Sequence, residues 1–450
     1  APAARVLLVT VSSTFARTLP PSPAPPSRHQ WDAIAMLLPG MGSSAPALQS
    51  VQATLTLAQQ LASRSQPLSL LLLTYGTQAV AAGASHTASD SAHGGVWGLA
   101  RVMRLEHPVL RVLCADATRC AASAAMARHL VAAAGSADEA ELAFCPTRRA
   151  ARLRKVAVGA SWRASVCGVY AITGGLGGLG LRAAALLVER GAMSVVLASR
   201  GGRVARDDQG LEAHRRGLGA GAEVAACDSS DLSDVLSLAW RGQPLSGVLH
   251  AAGAGDKGLL VEVVARRVQW MYAPKAFGAW YLHSTTATLP LEARILYSSV
   301  GSGLGNVGQG NYAAGNACLD ALALSRRAHG VAACSLQWPL VGGAGMGAAA
   351  FASIAEQWLT ITGMAGISLE QYASCLAPQL AHCRGIALSV QMAHRSDVRE
   401  LLQDLADPLQ LRFGELRAQG QSVKSTAVAA PAPGTDSELA GVLATLAPSL

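Results

Sequence analysis

Aromatic and charged side chains are both scarce in this sequence. Phe, Trp and Tyr supply 4% of its 450 residues and Asp, Glu, Lys and Arg 14%, against a hydrophobic share of 51%. A core with few rings has to be filled by Ala, Val and Leu, which favours many closely packed helices and strands. Long apolar runs are missing as well: the stretch around Leu68 to Leu73 falls far short of the ~18 residues a membrane span requires, and no N-terminal signal peptide is visible. A protein without a membrane span is expected. The nine cysteines, at 114, 120, 145, 167, 227, 318, 334, 375 and 383, form no CxxC pair and have no His at metal-ligand spacing. They read as small core residues, with no metal centre, in the cytoplasm or another reducing compartment.

The charge balance has a sign but little concentration. Lys plus Arg is 36 against 28 for Asp plus Glu, a net +8, which suits nucleic acid, a membrane surface or an acidic partner. The densest basic stretch, Arg148, Arg149, Arg152, Arg154 and Lys155, is short and lacks the interleaved aromatics on which single-stranded nucleic acid stacks. It reads as a solvated or interdomain face, with no nucleic-acid partner.

At about 150 residues per domain, the chain should hold more than one unit. PPSPAPPS at 20–27 can form neither helix nor ladder, because proline lacks the N–H, and reads as a loop or linker. RVLLVTV (5–11) and PLSLLLLTYG (67–76) have strand length, and between them Val51, Leu55, Leu57 and Leu61 carry helical spacing. This first α/β alternation shows no active-site chemistry. A second begins at Val169, with strands VYAIT, SVVLAS, AEVAACD, GVLHAAG and RILYSS separated by helical segments, and predicts a parallel, doubly wound sheet. AVAAPAPGTDS at 427–437 reads as a tether, followed by ELAGVLATLA as the start of a further helix. With no Met at position 1, the chain is expected to be a segment of a longer polypeptide.

After the strand ending at Ile172 come Thr173, Gly174, Gly175, Leu176, Gly177, Gly178, Leu179 and Gly180, and then a helix. Glycines allow a tight turn and close approach of the backbone to a pyrophosphate, whose charge the helix N-terminus stabilises. With the strand before and the helix after, this is a dinucleotide loop. The next strand ends in Ser199 and Arg200, where an NAD enzyme would place an acid; Arg suits a ribose 2′-phosphate, hence NADPH, and the bland reading is a solvated Arg. Cys227 and Asp228 end the third strand, where the carboxylate could accept from the adenine amino group or could cap a helix. His250, Ala251, Ala252 and Gly253 end the fourth, leaving room for a cofactor, with His250 itself reading as a packed, hydrogen-bonded residue. No G-x-S-x-G elbow leading into a helix is present, which disfavours acyl hydrolysis.

The segment YSSVGSGLGNVGQGNYAAGNACLDAL at 297–322 places Ser299 at a strand end and Tyr312 at a helix start, 13 positions later. This resembles the Ser and Tyr pair of short-chain dehydrogenase/reductases. Most of that superfamily has Lys four residues after the Tyr; here the position is Asn316, and Lys275 lies on the preceding helix in YAPKAFGAWYLH. That exchange is similar to the ketoreductase domains of modular polyketide synthases, and TGGLGGLG, ASRGG, ACDSSD, HAAG, APKAFGAWYLH and LQWP follow in the same order. GGVWGLARVMRLEHP at 94–108 resembles the structural half of those domains, a truncated Rossmann-like unit without a cofactor loop, in which Trp97 and Arg104 would be structural.

The resemblance implies a structural subdomain over 1–160, an NADPH-binding catalytic subdomain of extended short-chain dehydrogenase type over 161–400, and a C-terminal helix, linker and start of a carrier-like module over 401–450. It implies reduction of a β-keto group on an acyl thioester carried by the phosphopantetheine of an acyl carrier protein, with Ser299 binding the carbonyl, Tyr312 giving the proton, Lys275 lowering the phenol's pKa and Asn316 holding Lys275 and a water. Other modules of the same synthase would be partners. A catalytically silent scaffold domain and a free-standing short-chain reductase are the alternatives. Two signatures of product configuration are not met: the LDD position reads Gly255, Asp256 and Lys257, and the Trp position reads Leu304. Asn311 resembles the LDD class, while its usual proline is Val307. LVGGAGMGAAAF at 340–351 reads as a hinged lid or a plain surface loop.

Overall fold

The computed structural model describes residues 6–10, 33–38, 44–62, 68–78, 90–117, 139–145, 147–157, 165–205, 209–343, 366–382, 390–394, 398–405, 407–422 and 442–448. The Pro-rich stretch at 20–27, the tether at 427–437 and most of the expected lid, 344–351, lie outside the described residues.

The first sheet is formed by β1 (Val6–Thr10), β2 (Ala33–Leu37), β3 (Leu68–Tyr75), β4 (Leu110–Ala117), β5 (Glu141–Cys145) and β6 (Thr147–Arg149), in sequence order. β1 to β5 are parallel and β6 turns back against β5. Strand β3 reads as an unbroken apolar run because both faces are covered, as parallel sheets require: Leu70 and Leu72 join one core and Leu71 and Leu73 another. Helices α1 (Leu48–Ala62) and α2 (Gly94–Glu106) complete this half.

The second sheet contains β7 (Ala151–Ala157), β8 (Val169–Thr173), β9 (Ser194–Ser199), β10 (Ala222–Ala226), β11 (Leu245–His250), β12 (Ala293–Ser299), β13 (Cys334–Trp338), β14 (Val390–His394) and β15 (Val442–Pro448), ordered 10-9-8-11-12-13-14-15-7. β8 to β14 are parallel with a reversal of winding beside β8, the expected doubly wound Rossmann arrangement. Its helices are α3 (Gly178–Glu189), α4 (Leu211–Gly217), α5 (Leu232–Ala239), α6 (Ala265–Tyr272), α7 (Gly278–Thr285), α8 (Val300–Leu304), α9 (Gly310–Ala328), α10 (Leu369–His382), α11 (Val398–Asp404) and α12 (Gly414–Ser422).

One sequence expectation is corrected. Of the helix predicted at 438–447, residues 442–447 belong instead to strand β15, antiparallel to both β14 and β7, and 438–441 lie outside the described residues. Its Val, Leu and Thr residues suit a strand, and two open sheet edges offer hydrogen bonds that an isolated short helix would lack. β7 belongs to the second sheet, so the chain passes between the sheets at Ala150. The basic stretch lies on this crossing, with Arg152 paired to Glu139.

The two halves share one core. Val51, Leu55, Val96 and Trp97 from the first pack with Leu260, Tyr272, Ala313 and Cys318 from the second. Helix α2 lies so close to α9 that a Cβ on Gly98 would sit 2.3 Å from the Ala313 carbonyl oxygen, and one on Gly94 would sit 2.4 Å from the Ala321 Cβ. At the end of α2, Glu106 accepts from the backbone N–H of Leu260 at 2.7 Å and of Gly308 at 2.8 Å. Trp97 and Arg104 are structural here: the indole donates to Thr74 Oγ1 at 3.2 Å, and the guanidinium to Glu141 at 2.7 Å. Among the described residues no helix is long and apolar enough to cross a membrane.

Candidate active site

The glycine loop is shaped by contacts that tolerate no side chain. Gly174 has φ +68°, and a Cβ there would lie 2.8 Å from the backbone of Ala251 and Ala252. A Cβ on Gly180 would meet the Gly174 carbonyl oxygen at 2.6 Å, which is why α3 can start tight against the turn. Gly177 is the N-cap of α3 and brings no capping side chain, and the first turn has no acid. The amides of that turn are left open to an anion. Thr173 and Leu176 are buried, so this loop would bind through its backbone.

The strand ends flank this loop as expected, with differences in detail. Ser199 Oγ is buried without a hydrogen-bond partner, and Arg200 beside it is exposed and carries no ion pair among the described residues. Asp228 is not the helix cap, since Asp231 is the N-cap of α5; it forms the turn before it, Oδ1 accepting from the Ser230 N–H at 2.9 Å and its hydroxyl at 2.6 Å. Burial, then the neighbouring Asp234, Asp228 and Asp231, push the Cys227 thiol up to about 11, so it stays a neutral packing group. Ala251 and Ala252 are half-buried at the end of β11. A Cβ on Gly253 would sit 2.6 Å from Lys275 Cε, so this glycine makes room for the lysine rather than only for a cofactor.

His250, included among the cofactor-binding candidates, has no surface to offer a ligand. It is fully buried, and Nε2 lies 3.0 Å from the Lys275 carbonyl oxygen, which can only accept. Nε2 therefore carries the proton, and Nδ1 accepts from the Thr173 hydroxyl at 2.7 Å. Burial, followed by the nearby Lys275 charge, depresses its pKa to about 4, which keeps the ring neutral.

Lys275 sits in a π-helical turn, Ala273–Phe277, between α6 and α7. Pro274 lacks the N–H that a regular α ladder needs, and such widened turns recur at functional sites. The side chain is buried; Nζ donates to the Tyr297 carbonyl oxygen at 3.0 Å and lies 5.5 Å from the centre of the Tyr312 ring. Burial lowers its pKa to about 8, against a smaller upward pull from Asp320.

Tyr312 opens α9, with the side chains of Asn316 and Ser299 beside its phenol. Burial raises its pKa above the ordinary value, and the neighbouring Asn316 and Ser299 side chains pull it back. The expected lowering by Lys275 is not what dominates: burial does, with the ammonium over the ring at 5.5 Å from its centre. Ser299 caps α8, accepting from the Gly301 N–H at 3.2 Å. Asn316 is fully buried; Nδ2 donates to the Tyr312 carbonyl oxygen at 2.9 Å, while Oδ1 has no partner among the described residues. The four expected residues thus converge from β12, α9 and the π turn, with Asn316 bound to Tyr312 rather than to Lys275.

At the LDD position, Asp256 pairs with Arg267 and accepts from Asn311 Nδ2 at 2.6 Å. Lys257 is exposed, and Leu304 is half-buried. Sequence reasoning passed over Asp320, Ser302 and Gln337, which form a buried polar cluster behind Ser299. The signal was present for one of them: positions 312, 316 and 320 are spaced four apart and share a helix face.

The family model described as "KR domain" matches residues 168–343, and "Polyketide synthase extender module SpnB, Rossmann fold domain" matches residues 4–153. Polyketide synthase GfsA of Streptomyces halstedii is 40% identical over 275 residues, which are 58% of this chain and 4% of that protein. Pikromycin polyketide synthase component PikAIII of Streptomyces venezuelae is 36% identical over 278 residues, 60% of this chain and 18% of that protein. The chain thus spans a small part of these relatives. A solved A1-type ketoreductase superposes with a TM-score of 0.79 at 28% identity, covering 93% of this chain and 95% of that one. An A-type ketoreductase from a modular polyketide synthase gives 0.74 at 30% identity, covering 86% of this chain and 83% of that one. With the glycine loop, the Ser and Tyr pair and the displaced lysine together on one doubly wound sheet, this chain belongs to the ketoreductase domains of modular polyketide synthases.

Proposed function

We propose that the chain reduces the β-keto group of an acyl thioester, carried on the phosphopantetheine of an acyl carrier protein, to the β-hydroxy thioester with NADPH. The observation that carries this reading is the convergence of Tyr312, Ser299 and Asn316, with the Lys275 ammonium over the face of the Tyr312 ring at 5.5 Å from its centre.

The open amides at the start of α3 would hold the pyrophosphate and Arg200 the ribose 2′-phosphate. When bound, the reduced nicotinamide supplies the hydride. The chain's own residues answer the charge that hydride addition creates. Negative charge builds on the ketone oxygen, and Ser299 and Tyr312 are two hydroxyl donors fixed before the reaction, so little reorganisation is required. Tyr312 gives its proton to that oxygen, and the resulting phenolate is stabilised by the Lys275 ammonium and the Asn316 amide. The unpartnered Oδ1 of Asn316 can accept from a water that resupplies the proton. The first 150 residues act as a scaffold under α9, and a net charge of +8 favours an acidic carrier.

The test is NADPH oxidation with a β-ketoacyl thioester, on carrier protein and as a small-molecule mimic, with the hydroxy products resolved on a chiral phase. Tyr312→Phe should cut turnover by about 10²–10⁴-fold while the cofactor dissociation constant stays put. No oxidation by the parent protein would leave a silent scaffold domain as the better reading.

A further inference from the structure

We propose that Asp320 is a positioning residue of this active site: its buried carboxylate fixes the Ser299 turn through Ser302 and supplies the negative charge that keeps Lys275 an ammonium. The inference rests on the reading that Lys275 and Tyr312 carry the proton chemistry.

The geometry comes first. Asp320 lies on α9 one turn beyond Asn316 and two beyond Tyr312, and is 7% exposed. It accepts from Ser302 Oγ at 2.6 Å, Ser335 Oγ at 2.7 Å and Gln337 Nε2 at 2.8 Å. All three partners are neutral, so the charge is solvated by fixed dipoles and not cancelled by a touching cation. The Ser302 hydroxyl also lies 2.7 Å from the Ser299 carbonyl oxygen, and the Ser302 carbonyl accepts from Arg101 Nη1 at 2.6 Å. Asp320 and Arg101 therefore hold the turn that presents Ser299 from two sides.

The charge argument follows from what surrounds it. Asp320 acts on two cations, Lys275 and Arg101. Arg101 has a second anion in Glu141 at 2.7 Å, whereas Asp320 is the anion that acts on Lys275 among the described residues. The titratable groups facing Lys275 are His250 from β11 and Tyr312 and Asp320 from α9, the contact with Tyr297 being to its backbone carbonyl; those facing Asp320 also include Arg101 of α2 and Cys318 of α9. His250 is held neutral, and Tyr297 and Cys318 are pushed up by burial. Asp320 is the anion among them.

The experiment is the pH dependence of turnover of the full chain. Removing the anion should lower the pKa of Lys275, so Asp320→Asn is expected to move the alkaline limb down by about one unit while cofactor affinity is retained. Asp320→Glu, which keeps the charge, should return the limb toward the parent position. An unmoved limb in Asp320→Asn, with turnover scaled down evenly across pH, would overturn the electrostatic role and leave a packing role. Ser302→Ala keeps the charge and, should Asp320→Asn not fold, tests the other half: turnover about tenfold lower with the limb in place is expected, and parental turnover would overturn it. Failure of the underlying reading is separable, because there Tyr312→Phe and Lys275→Met would themselves retain activity.

Discussion

The protonated Nε2 of His250 donates to the backbone carbonyl of Lys275 at 3.0 Å, so a buried imidazole holds the π turn that carries this lysine. Through Nδ1 the same ring accepts from Thr173, at the mouth of the glycine loop. One side chain ties the cofactor loop to the lysine.

Replacing it should disturb both ends. His250→Phe leaves the Thr173 hydroxyl buried without this partner, at about 1–3 kcal/mol, and removes one of two bonds to the Lys275 carbonyl, which keeps the Gly278 N–H. Urea denaturation should show that loss, and turnover should fall more than cofactor affinity because the lysine is displaced. Asn, which can donate at one position, should recover part of the stability.

Lys275 dictates an alkaline limit. Burial lowers its pKa to about 8, so the ammonium is present below that pH and is lost as pH rises through it. Turnover is expected to fall above about pH 8, with Lys275→Arg, which stays charged, losing that limb even if its absolute rate is lower. A flat profile to pH 10 would contradict the assignment.

Arg200 decides between cofactors if it faces a 2′-phosphate. Arg200→Asp should raise the KM for NADPH by roughly tenfold to a hundredfold and leave that for NADH unchanged or lower, since an acid there can accept from a 2′-hydroxyl. Equal effects on both cofactors would place Arg200 elsewhere.

Glu141 should matter to stability although it is remote from the cofactor loop. Burial would raise its pKa, but Arg101 and Arg104 together outweigh this and hold it well below the usual carboxylate range. Glu141→Ala strands two guanidinium groups at the junction of the halves and should cost about 3–5 kcal/mol in chemical denaturation. Because the folded pKa is depressed, this contribution is complete above the unfolded value of about 4.3 and disappears as pH falls toward the folded one.

Much of the site was legible before any coordinates, because its parts are local. The glycine turn, the strand before it and helix α3 after it occupy about twenty consecutive positions, and Ser299, Tyr312 and Asn316 lie within eighteen. Lys275 was legible through its surrounding motif. His250 was read in two ways, as a packed residue and as a cofactor neighbour, and only its burial separates them. The strand β15 was misread as helix because a short apolar stretch fits either periodicity and the open sheet edges that capture it come from residues 151–157 and 390–394.

The sequence by itself determined the fold class and the glycine turn, since strand and helix periodicity and turn glycines are properties of neighbours along the chain, and its resemblance to a family pointed to the four residues proposed to carry the chemistry. The tertiary structure alone decided what stands behind them: the carboxylate of Asp320 among donors from positions 302, 335 and 337, the ring of His250 between Thr173 and Lys275, and α2 seated on α9. Those contacts join residues far apart in sequence, and the protonation of buried groups depends on the charges and dipoles that folding brings around them.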